Sequence, residues 1–246
     1  YHAITKRQKK TFSKFLYYCM FYGNTQPTIL CEGKTDNVYL KSTINILATH
    51  YPKLATAKTK SSAYKLLIHF IEYSRRSKFL MGLDGGKGSA EFFVKKFNIH
   101  NEFYNAPPPQ NPVIIVLDND SGFSNFQSIL KKINSATIYP TVFKKDEYRK
   151  ADFIHVMHNP YIVLTPLSPK GKQTDIEYLF DDATRLTQHN GKCFNTADKR
   201  DDETDLSKEA FADHIIKTQK GSINFDGLKP LLDRIVAAIT HYDSIK

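Results

Sequence analysis

The sequence predicts an α/β protein in which a parallel, Rossmann-like sheet is flanked by helices and followed by a C-terminal helical extension. Short apolar runs alternate with amphipathic segments along the first half of the chain, which is typical of βα units. Two of these runs, 28–31 and 113–117, end abruptly on carboxylates and a glycine. The chain has 246 residues, 41% of them hydrophobic, which is enough for a buried sheet of this kind.

The elements of the first half follow from apolar periodicity and from turn residues. A strand at 28–31 leads into a helix at 36–49, whose apolar positions recur on one face. The polar segment 98–111, with three consecutive prolines, is predicted as a surface loop. Between these segments we expect a helix at 62–74, a strand at 78–83 and a helix at 90–97. The most regular strand is 113–117.

The second half changes character after a predicted helix at 123–133. Residues 153–157 and 161–164 are predicted as two strands around a turn, forming an antiparallel addition at the sheet edge. A short helix is expected at 175–181, followed by a polar loop to residue 205. Helices at 206–220 and 225–242 close the chain. These boundaries divide the chain into an N-terminal tail at 1–26, a catalytic domain at 27–180 and a C-terminal extension at 181–246.

Composition limits the functional classes. Lys and Arg outnumber Asp and Glu by 35 to 25, for a formal charge of +10, which favours polyanionic partners such as nucleic acid. Cys19, Cys31 and Cys193 lack the spacing of a zinc site or a disulfide framework, so a reducing cytoplasm is expected. No apolar run is long enough for a membrane span. The basic and aromatic tail is expected to bind nucleic acid or to pack on an upstream domain of a longer polypeptide.

The carboxylates that follow the two apolar runs predict a divalent metal site. Side chains two apart on a strand point to the same side, so Asp118 and Asp120 can address one ion. Glu32 joins them if its strand is adjacent. Carboxylates this close repel one another, and Mg²⁺, or Mn²⁺ in its place, is the natural counter-charge. A metal with open positions orients phosphates and activates water, which is the basis of phosphodiester hydrolysis.

Turn formation is an alternative explanation of the second motif. In Asp118-Asn119-Asp120-Ser121-Gly122, Asp and Asn side chains can cap their own backbone and glycine permits positive φ. Taken alone, the motif is therefore also compatible with a purely structural turn.

Together, the two motifs resemble those of the Toprim domain, which topoisomerases, bacterial primases and OLD-family nucleases share. The matching residues are Glu32-Gly33 with Asp36, then an aliphatic strand ending at Asp118 and Asp120. The resemblance implies a Toprim-like sheet in which Glu32, Asp118 and Asp120 surround a catalytic Mg²⁺. A topoisomerase is disfavoured, because no domain that would present a nucleophilic tyrosine is recognisable.

OLD-like Toprim nucleases add further acids, and this resemblance implies a larger site. Asp36 stands where the first motif has a second acid, usually a glutamate. Glu177, in the stretch 174–180, matches a later acidic residue near a short helix. Asp36 and Glu177 would then support a second metal ion. Lys208 is the candidate for a lysine that stabilises developing phosphate charge and completes the catalytic residues.

The most specific resemblance is to the Toprim region fused behind the polymerase of some retron reverse transcriptases, and it covers residue 24 to the end. It implies an antiphage effector in the bacterial cytoplasm. The effector would be a toxic nuclease acting on RNA, with tRNA among the candidates, or on DNA. Its partners would be the reverse transcriptase domain of the same polypeptide and multicopy single-stranded DNA, which restrain it in an oligomeric complex.

Two lysines are candidates for contact with nucleic-acid phosphates. Lys34 follows the first motif, and Lys87 lies in the glycine-rich segment 84–89. That segment does not satisfy the GxxxxGK[ST] phosphate-loop pattern, which would require glycine at Met81 and Ser or Thr at Gly88. A nucleotide-binding loop of that type is therefore not predicted.

Two other functions remain as alternatives. A haloacid-dehalogenase-like phosphatase also carries a strand-borne DxD, with Asp118 as the nucleophile, but it requires Thr or Val in the Ser121-Gly122 region. A non-catalytic assembly module would bind the polymerase and its nucleic acid without cleaving it.

Overall fold

The computed structural model describes residues 5–144, 147–195, 201 and 203–246, except for the side chains of Lys87 and Asn98. A six-stranded, mostly parallel sheet forms the centre, as expected for an α/β protein with a Rossmann-like arrangement. Its strands and those of a separate two-stranded ribbon are β1 (Thr28–Cys31), β2 (Ala55–Thr56), β3 (Lys65–Leu66), β4 (His69–Phe70), β5 (Val113–Leu117), β6 (Thr137–Tyr139), β7 (Phe153–His155) and β8 (Pro160–Leu164).

The strand order in the main sheet is β4-β1-β5-β8-β7-β6. Strands β4, β1, β5 and β8 are parallel neighbours, whereas β7 runs antiparallel to β8 and β6 antiparallel to β7. The predicted antiparallel addition at the sheet edge is therefore confirmed, and it includes β6, which the sequence pattern did not indicate. Strands β2 and β3 pair with each other in an antiparallel ribbon.

Helices cover both faces of the sheet. The α-helices are α1 (Lys6–Tyr17), α2 (Lys34–Ile46), α3 (Arg75–Met81), α4 (Lys87–Asn101), α5 (Phe123–Leu130), α6 (Asp182–Arg185), α7 (Lys208–Ala210) and α8 (Lys229–Ile245). Wider π turns extend α1 through Tyr18–Tyr22 and α7 through Phe211–Lys217. Single 3₁₀ turns lie at Tyr148–Lys150, Glu177–Leu179 and Asp226–Leu228.

Alternation along the central strands supplies two hydrophobic cores. Ile114 and Val116 of β5 face the first core, which also contains residues of α2, α8 and the π turn at Phe211–Lys217. Val113, Ile115 and Leu117 face the second core, which also contains residues of α4, α5 and the N-terminal helix. All five residues of β5 are buried, as is usual for a parallel strand covered on both faces.

The N-terminal segment packs on this chain's own sheet. Tyr17 and Phe21 are buried in the second core, where both rings lie against Phe93 of α4. The opposite side of α1 carries exposed basic and aromatic residues.

The predicted helix at 62–74 is wrong. This stretch contains β3 and β4, because backbone hydrogen bonds to neighbouring strands satisfy it better than an isolated helix would. The His69 N–H donates to the Pro27 carbonyl and the Ile71 N–H to the Ile29 carbonyl, each at 2.9 Å. A short apolar run does not distinguish strand from helix, and here pairing with β1 determines the outcome.

The predicted strand at 78–83 is also wrong, because the residues form helix α3. Ser74 caps its start by accepting the Ser77 N–H at 3.1 Å, and the Ser77 hydroxyl accepts the Ser74 N–H in return. Gly82, with φ +72°, ends the helix in the left-handed conformation that glycine adopts without strain. The strand predicted between the two acidic motifs is supplied by β4 instead.

Most other predicted elements are confirmed, with altered boundaries. The helix at 90–97 lengthens to α4, and the helix at 225–242 becomes a 3₁₀ turn followed by α8. The predicted helix at 206–220 consists of α7 and its π extension. Among the described residues, no helix has the length and apolar character needed to cross a membrane.

We predict that Ser74→Ala lowers the free energy of unfolding by about 1 kcal/mol, because it removes the N-cap of α3. Chemical denaturation followed by circular dichroism measures this loss. Ser61→Ala, at an exposed hydroxyl in the loop between β2 and β3, is the control. Equal stability of the two variants would contradict the helical assignment of Arg75–Met81.

Candidate functional site

The order of the parallel strands places a crevice between β1 and β5. The chain moves from β1 to β4 on one side and then crosses to β5 on the other side of β1. Ligands of open α/β sheets bind outside the carboxyl ends of the strands at such a reversal. Glu32 directly follows β1 and Asp118 directly follows β5, so both acids stand at this point.

Glu32 and Asp118 are directly joined. The Asp118 backbone N–H donates to Glu32 Oε2 at 3.3 Å. From the other side, the Gly86 N–H donates to the Glu32 carbonyl at 2.6 Å, so the glycine-rich loop lies on the backbone of the first motif. Gly85 and Gly86 adopt φ values of +91° and +76°, and a Cβ on Gly85 would stand 3.4 Å from the Glu32 carbonyl oxygen. The positive φ values of these two residues, which glycine adopts without strain, therefore favour glycine in this loop.

Asp36 lies in the first turn of α2. Its Oδ2 accepts the Gly33 N–H at 2.7 Å, which satisfies a backbone donor at the helix start. The side chain is buried, and burial raises its pKa, although the Gly33 hydrogen bond and the nearby Lys208 oppose that rise. Asp36 therefore caps the start of α2 and is also a buried carboxylate of the candidate site.

Glu177 is completely buried and forms an ion pair with Lys208. The Lys208 Nζ lies 2.8 Å from Glu177 Oε2, and the Tyr39 hydroxyl donates to Oε1 at 3.4 Å. Burial raises the pKa of Glu177 to about 7 against the opposing charge of Lys208, and Asp175 adds to the rise. Burial alone would lower the pKa of Lys208, but its attraction to Glu177 prevails and the pKa is raised. The lysine therefore stays charged.

Asp118 is at the centre of this group of charges. Its Oδ1 accepts the Ile176 N–H at 2.9 Å, which ties the end of β5 to the turn that carries Glu177. Burial raises the pKa of Asp118 well above its ordinary value, and the charges of Asp36, Glu32 and Glu177 raise it further. Lys208 opposes this rise only in part.

We call Glu32, Asp36, Asp118 and Glu177, together with Lys208, the acidic cluster. Every member was predicted as a site residue from the sequence, and the structure brings all of them into electrostatic contact. Lys208 pairs with Glu177, and its charge also acts on Asp36 and Asp118. Buried carboxylates this close together favour retention of a proton or binding of a cation.

Asp120 is held differently from Asp118. Its Oδ1 accepts the Gly122 N–H at 2.9 Å, which is the turn-capping contact considered as the structural alternative for this motif. Its carbonyl accepts a hydrogen bond from Arg149 Nη1 at 2.9 Å. Asn119, between the two aspartates, is buried and donates to the carbonyls of Arg149 and Thr165. The motif is thus both a turn and the support of the Asp118 carboxylate.

The two predicted phosphate-binding lysines have different positions. Lys34 is exposed at the first residue of α2, close to the first motif. Lys87 is the first residue of α4, after the glycine-rich loop that contacts Glu32, and its side chain lies outside the described part of the structure.

Sequence reasoning missed three polar side chains around the acidic cluster. Tyr39 contacts Glu177 and also donates to the Lys208 carbonyl, and its place three residues after Asp36, on the same face of α2, was the available signal. The Tyr73 hydroxyl donates to the Cys31 carbonyl at the end of β1. Arg149 donates to Asn119 Oδ1 at 2.9 Å and stacks near Phe123, and no motif in its neighbourhood indicated this role.

No protein-family model matches the chain, and no solved structure matches it.

We predict that Asp118→Asn stabilises the metal-free protein at pH 8 by about 0.5–2 kcal/mol. Asparagine keeps an oxygen for the Ile176 N–H but removes a buried charge that three acids oppose. Because the folded pKa of Asp118 is raised, the stability it contributes is fully present below the ordinary aspartate pKa of the unfolded chain and is lost as pH rises from there through the folded pKa. The advantage of asparagine should therefore shrink on acidification.

Urea unfolding in EDTA across a pH series measures this effect. Asp213→Asn, at an exposed carboxylate paired with Lys217, is the matched control and should change stability little. A destabilised Asp118→Asn protein at pH 8 would contradict the proposed repulsion.

Proposed function

We propose that this chain is a metal-dependent nuclease that hydrolyses phosphodiester bonds in RNA, with tRNA as one candidate, or in DNA. The observation that carries the proposal is the acidic cluster at the carboxyl ends of β1 and β5, where four carboxylates act on one another and Glu177 pairs with Lys208. The net charge of +10 of the whole chain favours a polyanionic substrate. An acidic site on a basic protein is suited to binding metal and nucleic acid together.

The chemistry of the donors fits Mg²⁺ or Mn²⁺. Carboxylate oxygens are the ligands these hard cations prefer. Burial raises the pKa values of Asp118 and Asp36, and neighbouring acids raise that of Asp118 further, so a bound cation would stabilise the charged carboxylates. Within the described ranges, no three His, Cys, Asp or Glu side chains already stand in a metal-binding arrangement. The fit therefore concerns charge and donor type. Glu32, Asp36, Asp118, Asp120 and Glu177 are the residues proposed to hold the metal.

The protein's own groups have distinct roles in the proposed reaction. Lys208, kept charged by Glu177, provides a positive group for a substrate phosphate. The Asp118 N–H orients Glu32, and the Ile176 N–H orients Asp118. When bound, the metal would polarise the phosphate and lower the pKa of a water nucleophile. Lys34 and Lys87 are proposed to contact flanking phosphates.

The wider assignment rests on the motif resemblance. Glu32 with Asp36, and Asp118 with Asp120, follow neighbouring parallel strands in the order that Toprim domains use. We extend the proposal to a Toprim-type effector of a bacterial retron protein. In that setting, an upstream reverse transcriptase domain and multicopy single-stranded DNA would restrain the nuclease within an oligomeric complex in the cytoplasm.

We predict that Glu32→Gln lowers the rate of nucleic-acid cleavage at least about 100-fold, because it removes one negative charge from the metal-binding acids while preserving shape. End-labelled RNA and DNA, incubated with Mg²⁺ or Mn²⁺ and resolved on denaturing gels, give the rate. Glu91→Gln, on α4 and paired with Lys95, is the matched control and should cleave normally.

The same assay separates the alternatives. Undiminished cleavage by Glu32→Gln would overturn the assignment of the acidic cluster. Hydrolysis of a phosphomonoester such as p-nitrophenyl phosphate through an aspartyl-phosphate at Asp118, without cleavage of nucleic acid, would favour the phosphatase. Nucleic-acid binding without hydrolysis of either substrate would favour the assembly module.

A further inference from the structure

Helix α1 has two chemically different faces. Tyr17, and Phe21 just beyond the helix, are buried in the second core and anchor the helix to the sheet. Positions 7, 10, 11, 14, 15 and 18 recur at helical spacing on another face. The helix contains five basic residues and no acidic residue. Its outward face therefore presents several positive charges on a helix that is anchored to the sheet.

A cleft of about 550 Å³ lies between this face and the segment that follows α4. Its lining combines three basic with four aromatic side chains and includes no carboxylate. We call this surface the basic-aromatic cleft; its lining residues are Arg7, Lys10, Thr11, Lys14, Phe15, Tyr18, Phe103 and Tyr104. Glu102 precedes Phe103 in the chain but does not line the cleft.

Two of the four aromatic side chains of the cleft are exposed although they are large, whereas Tyr18 and Tyr104 are half-buried. Phe15 and Phe103 are each 58% exposed. Exposing two phenylalanines costs the favourable free energy that their burial would supply, and contiguous exposed apolar surface commonly marks an interaction site. A ligand with flat apolar faces would cover these rings.

The cleft is held in place before any ligand arrives. The Tyr104 hydroxyl donates to the Lys14 carbonyl at 2.7 Å, and the Tyr104 ring packs edge-on against Tyr18. The Lys14 Nζ lies 3.0 Å from the centroid of the Phe103 ring, which fixes a positive charge beside an aromatic face. Preorganisation of this kind reduces the ordering cost of binding.

We propose that the basic-aromatic cleft binds single-stranded nucleic acid, with Lys10 and Lys14 contacting phosphates and Phe15 stacking on a base. Basic grooves that track the backbone, interleaved with aromatic stacking platforms, are the general solution for single strands. Duplex DNA would keep its base faces covered, so the exposed rings favour an unpaired strand. The contacts use phosphates and base faces, which DNA and RNA share.

This surface is distinct from the acidic cluster. Helix α1 packs in the second core, whereas α2 and the Lys208 segment belong to the other face of the sheet. Binding at the cleft therefore needs neither the metal nor the carboxylates of the proposed nuclease. The two proposals can fail independently.

Fluorescence anisotropy with labelled oligothymidylate and oligouridylate, in EDTA and over a series of salt concentrations, tests the proposal. Each phosphate contact on a single strand contributes about −0.7 to the slope of log affinity against log salt. Lys10→Gln/Lys14→Gln should therefore make the slope shallower by about 1.4. Phe15→Ala should weaken binding about 5- to 150-fold, the range for loss of one stacked base, and leave the slope unchanged.

Matched controls remove the same charge or ring elsewhere. Lys58→Gln/Lys60→Gln acts in the exposed loop between β2 and β3, and Phe92→Ala acts at an exposed ring on α4 outside the cleft. Both should bind like the wild type. Circular dichroism verifies that each variant is folded.

Two results would overturn the proposal. One is a salt slope that the lysine substitutions change no more than their control does. The other is unchanged affinity of Phe15→Ala for the oligonucleotides. That result would indicate that the cleft is covered by a second copy of the chain or by a protein segment instead. Loss of cleavage in a separate assay bears only on the proposed nuclease.

Discussion

Repulsion among four carboxylates at one edge of the sheet is the constraint around which the proposed site is built. The negative charges of Glu32, Asp36 and Glu177 all act on Asp118, and burial removes the water that would screen these interactions. Lys208 pairs with Glu177 and opposes the rise in the pKa of Asp118 only in part. Burial and the neighbouring acids therefore favour retention of a proton by Asp118 or binding of a cation.

The fold holds these carboxylates together by fixing the backbone that carries them. The acids follow β1 and β5, whose buried residues are covered by helices on both faces. Helix α2 contributes Asp36 from its first turn, and the π turn at Phe211–Lys217 packs against α2. Tyr39 joins these elements by contacting both Glu177 and the Lys208 backbone. The acids therefore cannot separate without disrupting the first core.

Sequence patterns predicted the members of the acidic cluster better than they predicted the secondary structure between the two acidic motifs. Strand β5 and the start of α2 could be predicted because a continuous aliphatic run and a periodic apolar face are local signals. Between residues 62 and 83, a helix was predicted where β3 and β4 form and a strand where α3 forms. Strand β4 depends on pairing with β1, and α3 depends on the reciprocal capping by Ser74 and Ser77. Arg149 and Tyr73 reach the site through tertiary packing, which no local pattern encodes.

The most direct test of the central claim is the number of protons released when Mn²⁺ binds at pH 7. Calorimetric titration in buffers of different ionisation enthalpy measures this number. Burial raises the pKa values of Asp118, Asp36 and Glu177, and neighbouring acids raise those of Asp118 and Glu177 further. A bound cation should therefore displace on the order of one proton. Asp118→Asn should release fewer. Binding without proton release, or release that Asp118→Asn leaves unchanged, would contradict the account.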